Sequence, residues 1–476
     1  MNNPNIIVIL TDNQRHDGLG CTGHPVCRTP GWDSLASEGV FFDGLRTTSP
    51  VCSPARASLW TGLEPHRAGL CTVIHPSTND PSDDPYRPSA STGVSVSPLP
   101  YDLREKGYQT FLAGKWHVGD EWLEKSFDRT AGSNFHALEY KEWCESQGLP
   151  NGFILNDPVR CKPFRSPRPP HMSVPHVGAL DIPDFAEYNR WILDQALELL
   201  PAINKDQPFF FNLSFYGVHP PFFLPQHVLE LYGPELAEKP ENWRPSPSEP
   251  ALYGRSYYRR EWSEWGENFD AWKTATAASW AYTTYIDGLI FEFVQALREH
   301  SLLDDNTLLA LTSDHGDMMG QHGLWQKFCP YEEAVRIPLL LRWPAKLPVG
   351  QRIASACSLQ DLGNSLREAA GLEPRGPVLP DAGRNVEERD IFVQYDQPRD
   401  WDSWQPLPSW RTIQRGNWKF TLHGNGEEEL YNLESDPGEM NNLASQDSTR
   451  SRREELRSAL RAWGEKTNDR FPYEQH

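Results

Sequence analysis

Cys52 stands four residues before Arg56 in Pro50-Val51-Cys52-Ser53-Pro54-Ala55-Arg56, with Pro54 between them. Pro54 suits the first turn of a helix, where its missing N–H would have found no partner. Residues four apart share a helical face, so Arg56 folds back towards Cys52. The positive helix end and the guanidinium then both attract an anion to the thiol. Further chemistry-bearing residues follow apolar runs. Ile6 to Leu10 leads to Asp12 and Asn13, Gln109 to Gly114 leads to Lys115, Trp116 and His117, Phe209 to Ser214 leads to His219, and Thr307 to Thr312 leads to Asp314 and His315.

The four runs read as buried parallel strands. In open α/β sheets ligands bind outside the carboxyl ends of the strands, so these clusters should converge on one pocket. Amphipathic stretches at Thr29 to Gly39, Leu99 to Gly107, Asn189 to Leu200 and Ala275 to Leu297 supply covering helices. From about Arg389 the texture changes to short strands, Asp390 to Tyr395, Ser409 to Ile413 and Trp418 to Leu422, followed by a helix near 451–467. The fold class expected is α/β: a large central, mostly parallel sheet flanked by helices, with a smaller C-terminal antiparallel sheet plus helix. The expected division is a catalytic domain over 1–388 and a C-terminal subdomain over 389–476. Two Pro-rich stretches, 76–98 and 157–183, are long enough to be pocket loops and read equally as solvated linkers.

Cys52-x-Pro54-x-Arg56, continued by Thr61-Gly62, resembles the signature of the type I, formylglycine-dependent sulfatases of the alkaline phosphatase superfamily. The segment Glu429 to Glu439 also resembles their C-terminal region, so the likeness spans nearly the whole chain. Ala55, Trp60 and Leu63 depart from the family's usual residues, and none of the three is chemical. The resemblance implies a cysteine oxidised after synthesis to Cα-formylglycine, and therefore a formylglycine-generating or anaerobic sulfatase-maturating enzyme as partner. It implies a divalent cation on Asp12, Asn13, Asp314 and His315 together with the modified Cys52. Two carboxylates and an amide oxygen suit calcium, with magnesium or manganese as alternatives because an imidazole is present. Asn13 departs from the second Asp that many sulfatases carry. The resemblance also assigns Lys115 and Lys327 to sulfate binding, with Arg56 as a further clamp, His117 to the deprotonation that releases sulfate, and His219 to protonation of the leaving oxygen. His322 fits a family stretch and is read as shaping the loop that carries Lys327.

The activity implied is hydrolysis of a sulfate ester, with a sulfated carbohydrate favoured over a small alkyl or aryl sulfate. A phosphonate monoester or phosphodiester hydrolase of the same superfamily is the nearest alternative. Asn13 and the Asp314-His315 pair lean that way, whereas Lys115-Trp116-His117 leans to sulfatases. A non-catalytic glycan-binding relative is a second alternative. Trp243, Trp262, Trp265 and Trp272, with Tyr253, Tyr257 and Tyr258, lie in the insertion after His219; they could stack on sugar rings or pack the interior. With 45 basic and 65 acidic residues the formal net charge is −20, which argues against nucleic acid or an anionic membrane as partner. The eight cysteines hold no Cys-x-x-Cys pair, so neither a zinc site nor a disulfide framework is expected. The run Ile6 to Leu10 is too short for a signal or a membrane span, so the chain as given reads as cytoplasmic, or as periplasmic or secreted if a leader was removed.

Overall fold

The computed structural model describes residues 3–473, apart from 75–93, 134–137, 151–160, 164–176, 257–258, 260–261, 264–265, 381–388 and 398–406. Most of both Pro-rich stretches, with Tyr257, Tyr258 and Trp265, therefore lie outside the described residues. The four apolar runs form the middle of an eight-stranded sheet. In chain order its strands are β1 (Asn5–Thr11), β2 (Val40–Phe42), β3 (Gln109–Gly114), β4 (Arg129–Ala131), β5 (Phe209–Ser214), β6 (Thr307–Ser313), β7 (Leu339–Arg342) and β8 (Gln351–Ile353). Across the sheet the order is β8-β2-β7-β6-β1-β5-β3-β4. β6, β1, β5, β3 and β4 run parallel, and β7 runs antiparallel to both its neighbours.

Burial on both faces explains why these strands are nearly all apolar. Ile7 and Ile9 enter one core, and Ile6, Val8 and Leu10 the other, which is the period-two alternation of a strand. Helices α1 (Pro30–Glu38), α4 (Tyr188–Leu199) and α5 (Phe269–Glu299) cover the first core. α2 (Cys52–Thr61), α3 (Leu99–Glu105) and α6 (Leu359–Ala369) cover the second. α5 begins earlier than its apolar pattern because Asn268 caps it, accepting from the Asp270 amide at 3.3 Å. Among the described residues no helix is long and apolar enough to cross a membrane.

A separate antiparallel sheet, in the order β9 (Ile391–Tyr395), β10 (Trp410–Arg415), β11 (Trp418–His423) and β12 (Glu428–Asn432), packs against α7 (Arg450–Thr467) around Ile413, Phe420, Leu456 and Leu460. β12 was not among the expected strands, since it opens on two glutamates. Glu429 is tolerated inside because His423, Tyr253 and Tyr431 hydrogen-bond its carboxylate at 2.7, 2.9 and 2.7 Å.

Candidate active site

The carboxyl ends of the parallel strands deliver the site. β1 runs into Asp12 and Asn13, β3 into Lys115 and His117, and β6 into Asp314 and His315. Past β5 the chain returns to β1: the Phe215 amide donates to the Leu10 carbonyl at 2.9 Å and the Val218 amide to that of Asp12 at 2.6 Å, which carries His219 to the site. Gly114 ends β3 with φ 89°, and a Cβ there would lie 2.0 Å from the Ser214 carbonyl oxygen, so the turn into Lys115 requires glycine. Asn13 and His117 hold left-handed backbone at φ 60° and 61°, a conformation that costs energy and that asparagine bears better than most residues.

α2 starts at Cys52 itself, with Val51 extended before it and Pro54 in the first turn. It stops at Gly62, φ 71°, whose amide donates to the Ser58 carbonyl at 2.8 Å. Every residue of this helix is buried, so its position is fixed by packing on all sides.

Donor atoms of Asp12, Cys52, Asp314 and His315 all lie within 4.8 Å of one another, and all four residues are buried. Ligands at 2.3–2.6 Å from a common centre are separated by such distances, so the set fits one cation. His315 Nδ1 donates to the Gly316 carbonyl at 3.0 Å, which turns Nε2 towards Cys52 Sγ, 3.1 Å away. Asn13 joins through its side chain. Its Oδ1 accepts from Lys327 Nζ at 2.9 Å, its Nδ2 donates to Asp317 Oδ2 at 2.7 Å, and Lys327 Nζ is 3.3 Å from Cys52 Sγ.

Two cations contact these acids directly. Lys115 Nζ donates to Asp12 Oδ2 at 2.5 Å, and Arg56 donates to Asp12 at 3.3 Å and to Asp314 at 2.8 Å. Burial would raise Asp12, but Lys115, His219, Lys327 and Arg56 hold its carboxyl well below the usual range. Asp314 moves the other way, raised by burial and then by the charge on Asp12. Burial and Asp12 both oppose ionisation of the encoded Cys52 thiol, yet Lys115, Lys327 and His315 draw it well below the ordinary thiol value.

Arg56, expected as a further clamp on the sulfate, sits behind the carboxylates. Its guanidinium is wholly buried and committed to Asp314, Asp12, the Ser214 hydroxyl and the Lys115 carbonyl, so it holds the carboxylates in place. Lys115 lies over the Tyr216 ring at 5.1 Å. His117 Nε2 donates to the Ile74 carbonyl at 2.8 Å, and burial followed by Lys115 keeps its pKa well below the ordinary value. His219, hydrogen-bonded to the Pro220 carbonyl, is lowered to about 3 by burial and then by Lys327.

Two contributors had no role from the sequence, Asp317 and Ser214. Asp317, three residues past Asp314, grips Asn13; Ser214, the last residue of β5, receives Arg56. Both sat at strand ends already singled out, and that position was the available signal. His322 stacks on Tyr331 with ring centroids 3.9 Å apart. Trp243, Trp262, Trp272 and Tyr253 are buried against other rings, so they fill the interior and present no sugar-stacking face.

The sheet thus gathers at its strand ends a buried Asp12, Cys52, Asp314 and His315 cluster that could hold a metal ion. The Sulfatase family model matches residues 4–372, and the model for the C-terminal part of N-sulphoglucosamine sulphohydrolase matches residues 320–466. The chain belongs to the sulfatase family, within the alkaline phosphatase superfamily, and is a sulfuric ester hydrolase. The arylsulfatase of Clostridium perfringens is 26% identical over 500 residues, which span 96% of this chain and 93% of that protein. The phosphonate monoester hydrolase of Agrobacterium radiobacter has a similar fold, with TM-score 0.77 and 19% identity over 98% of this chain and 96% of its own. BT4656, solved with its substrate D-glucosamine-2-N,6-O-disulfate, gives TM-score 0.75 and 19% identity over 100% of both chains.

Proposed function

We propose that the protein hydrolyses the sulfate ester of a sulfated carbohydrate, using Cys52 converted to formylglycine and one calcium ion held by Asp12, Asn13, Asp314, His315 and residue 52. The observation that carries this reading is the buried cluster of Asp12, Cys52, Asp314 and His315 at the start of α2, with donor atoms within 4.8 Å. An ion held by these residues would polarise the sulfuryl oxygens; the hydrated aldehyde of residue 52 would supply one hydroxyl to displace the alcohol from sulfur, and loss of the second hydroxyl's proton would reform the aldehyde and break the carbon–oxygen bond to sulfate.

The chain's own residues do the rest. Arg56 orients Asp12 and Asp314. Lys115 and Lys327, one on Asp12 and one beside Cys52, offset negative charge on the ester in a water-poor site. His117 is uncharged near neutral pH and accepts the proton for sulfate release. His219, lowered by burial and then by Lys327, is also uncharged in the free protein; an anionic ester beside Lys327 offsets the second of these effects and favours the protonated form that serves the leaving oxygen. The proposed catalytic domain is 1–388 and the C-terminal subdomain 389–476, with a maturating enzyme as cellular partner for Cys52.

A phosphonate monoester or phosphodiester hydrolase is the second reading, favoured by the missing charge at Asn13. Peptide mass spectrometry on active protein tests the first. Formylglycine at position 52, with turnover lost in Cys52→Ala, is expected. An active preparation carrying only the thiol would refute it.

A further inference from the structure

We propose that Ser53 is a positioning residue for His117: through the backbone of Ile74 it holds the imidazole in the tautomer that takes a proton when sulfate is released. The release step rests on the sulfatase reading, and the part of Ser53 rests on geometry. The Ile74 amide donates to Ser53 Oγ at 3.0 Å, and the Ile74 carbonyl accepts from His117 Nε2 at 2.8 Å. One residue thus links α2 to the His117 ring. A carbonyl cannot donate, so Nε2 carries the ring proton and Nδ1 is the basic nitrogen.

Ser53 follows Cys52 directly in α2 and is wholly buried, so the helix turn that places residue 52 also places this hydroxyl. His117 needs such an anchor. Its backbone is left-handed at φ 61°, a conformation that persists only where neighbours enforce it. Just before it, Trp116 stacks on Trp60 of α2 with ring centroids 6.0 Å apart, and the Trp116 indole donates to the Gly119 carbonyl at 3.0 Å. Trp60 is one of the three departures from the family's usual residues. α2 therefore steadies both the chain that carries His117 and the carbonyl that orients its ring.

With Nε2 committed to Ile74, Nδ1 is the nitrogen left for the chemistry. It accepts the proton of the second hydroxyl on residue 52; that oxygen's electron pair forms the aldehyde C=O, the carbon–oxygen bond to sulfate breaks, and its pair leaves on sulfate. In the opposite tautomer Nδ1 would carry a proton and could accept none. The earlier displacement of the alcohol from sulfur makes no use of this nitrogen. Removing the Ser53 hydroxyl should therefore slow sulfate release and spare the first step.

The test has two arms, and Ser53→Ala leaves Cys52, Pro54 and Arg56 of the signature in place. In protein with isotope-labelled histidine and the encoded Cys52 thiol, nitrogen NMR should find the His117 proton on Nε2. Ser53→Ala should shift the ring signals towards a mixture of tautomers, and Ser53→Thr, which keeps a hydroxyl, should retain the wild-type pattern. On enzyme with confirmed conversion of Cys52, Ser53→Ala should lower kcat for 4-nitrophenyl sulfate by about tenfold or more and show a burst of the phenol. KM should fall alongside, so that kcat/KM changes by less than about threefold. An unchanged tautomer overturns the inference, as does a kcat/KM that falls in step with kcat without a burst, the mark of general damage to the site. Wild-type enzyme that releases sulfate from neither 4-nitrophenyl sulfate nor a sulfated sugar would sink the sulfatase reading instead, while the NMR comparison still decides the part of Ser53.

Discussion

Asn13 carries one charge fewer than an aspartate, and its amide is held from both sides by Lys327 and Asp317. From charge alone, Asn13→Asp should tighten the cation by adding an anionic ligand. The geometry reverses that expectation, because the new carboxylate would face Asp317 across a contact of 2.7 Å. Asn13→Asp should therefore weaken calcium binding in calorimetry, and adding Asp317→Asn, which restores a donor, should recover about tenfold or more. Equal affinity of the single and double variants would show that Asp317 does not orient residue 13. Lys115→Ala, assayed with saturating calcium, should lower kcat/KM for a sulfate ester by about two orders of magnitude. A change of less than threefold would remove Lys115 from the charge-stabilising set. Asp12, Asn13, Lys115, His117, His219, Asp314 and His315 were legible as candidates because each follows an apolar run, Cys52 and Arg56 because of their helical spacing, and Lys327 only through the family resemblance; the hydrogen bonds each makes, Arg56 on carboxylates and Asp317 on Asn13, depend on tertiary distances that spacing does not encode.

At the scale of elements, the long central strands and helices α1, α3, α4, α5 and α7 were legible from period and length, whereas α6 was not among the expected helices. The short strands β2, β4, β7 and β8 were not legible, since three or four residues carry no period. β12 was hidden by glutamates that only the fold supplies with partners. Element contacts of this kind also stabilise. Asp287 on α5 accepts from the Gly31 and Trp32 amides at 2.8 Å each, capping the first turn of α1 from another helix. Asp287→Ala should cost about 1–2 kcal/mol in urea unfolding while kcat changes little. An unchanged midpoint would show that the cap is redundant.

Over the whole molecule, the C-terminal sheet braces the catalytic body. The Trp410 indole donates to the Phe328 carbonyl at 3.0 Å, next to Lys327. Lys419 on β11 is buried between Glu332 at 3.1 Å and Glu439 at 2.7 Å, and Arg46 reaches Glu332 at 2.8 Å. Lys419→Met leaves Glu439 buried without its cation and should destabilise the protein by about 3–5 kcal/mol in denaturant unfolding. A loss below about 1 kcal/mol, the scale of a solvated surface pair, would mean that this contact is not a buried brace.

The central claim is that this pocket is built for sulfate. Lysine point charges and a proton donor suit an ester whose single negative charge is spread over three oxygens and whose leaving group departs early. The most direct measurement is kcat/KM of fully converted enzyme on phenyl sulfate, phenyl phosphonate and a phosphodiester under one set of conditions. Sulfate is expected to be the fastest of the three. Phosphonate or phosphodiester hydrolysis that outpaces every sulfate ester would contradict the account and make Asn13 the better guide to the chemistry.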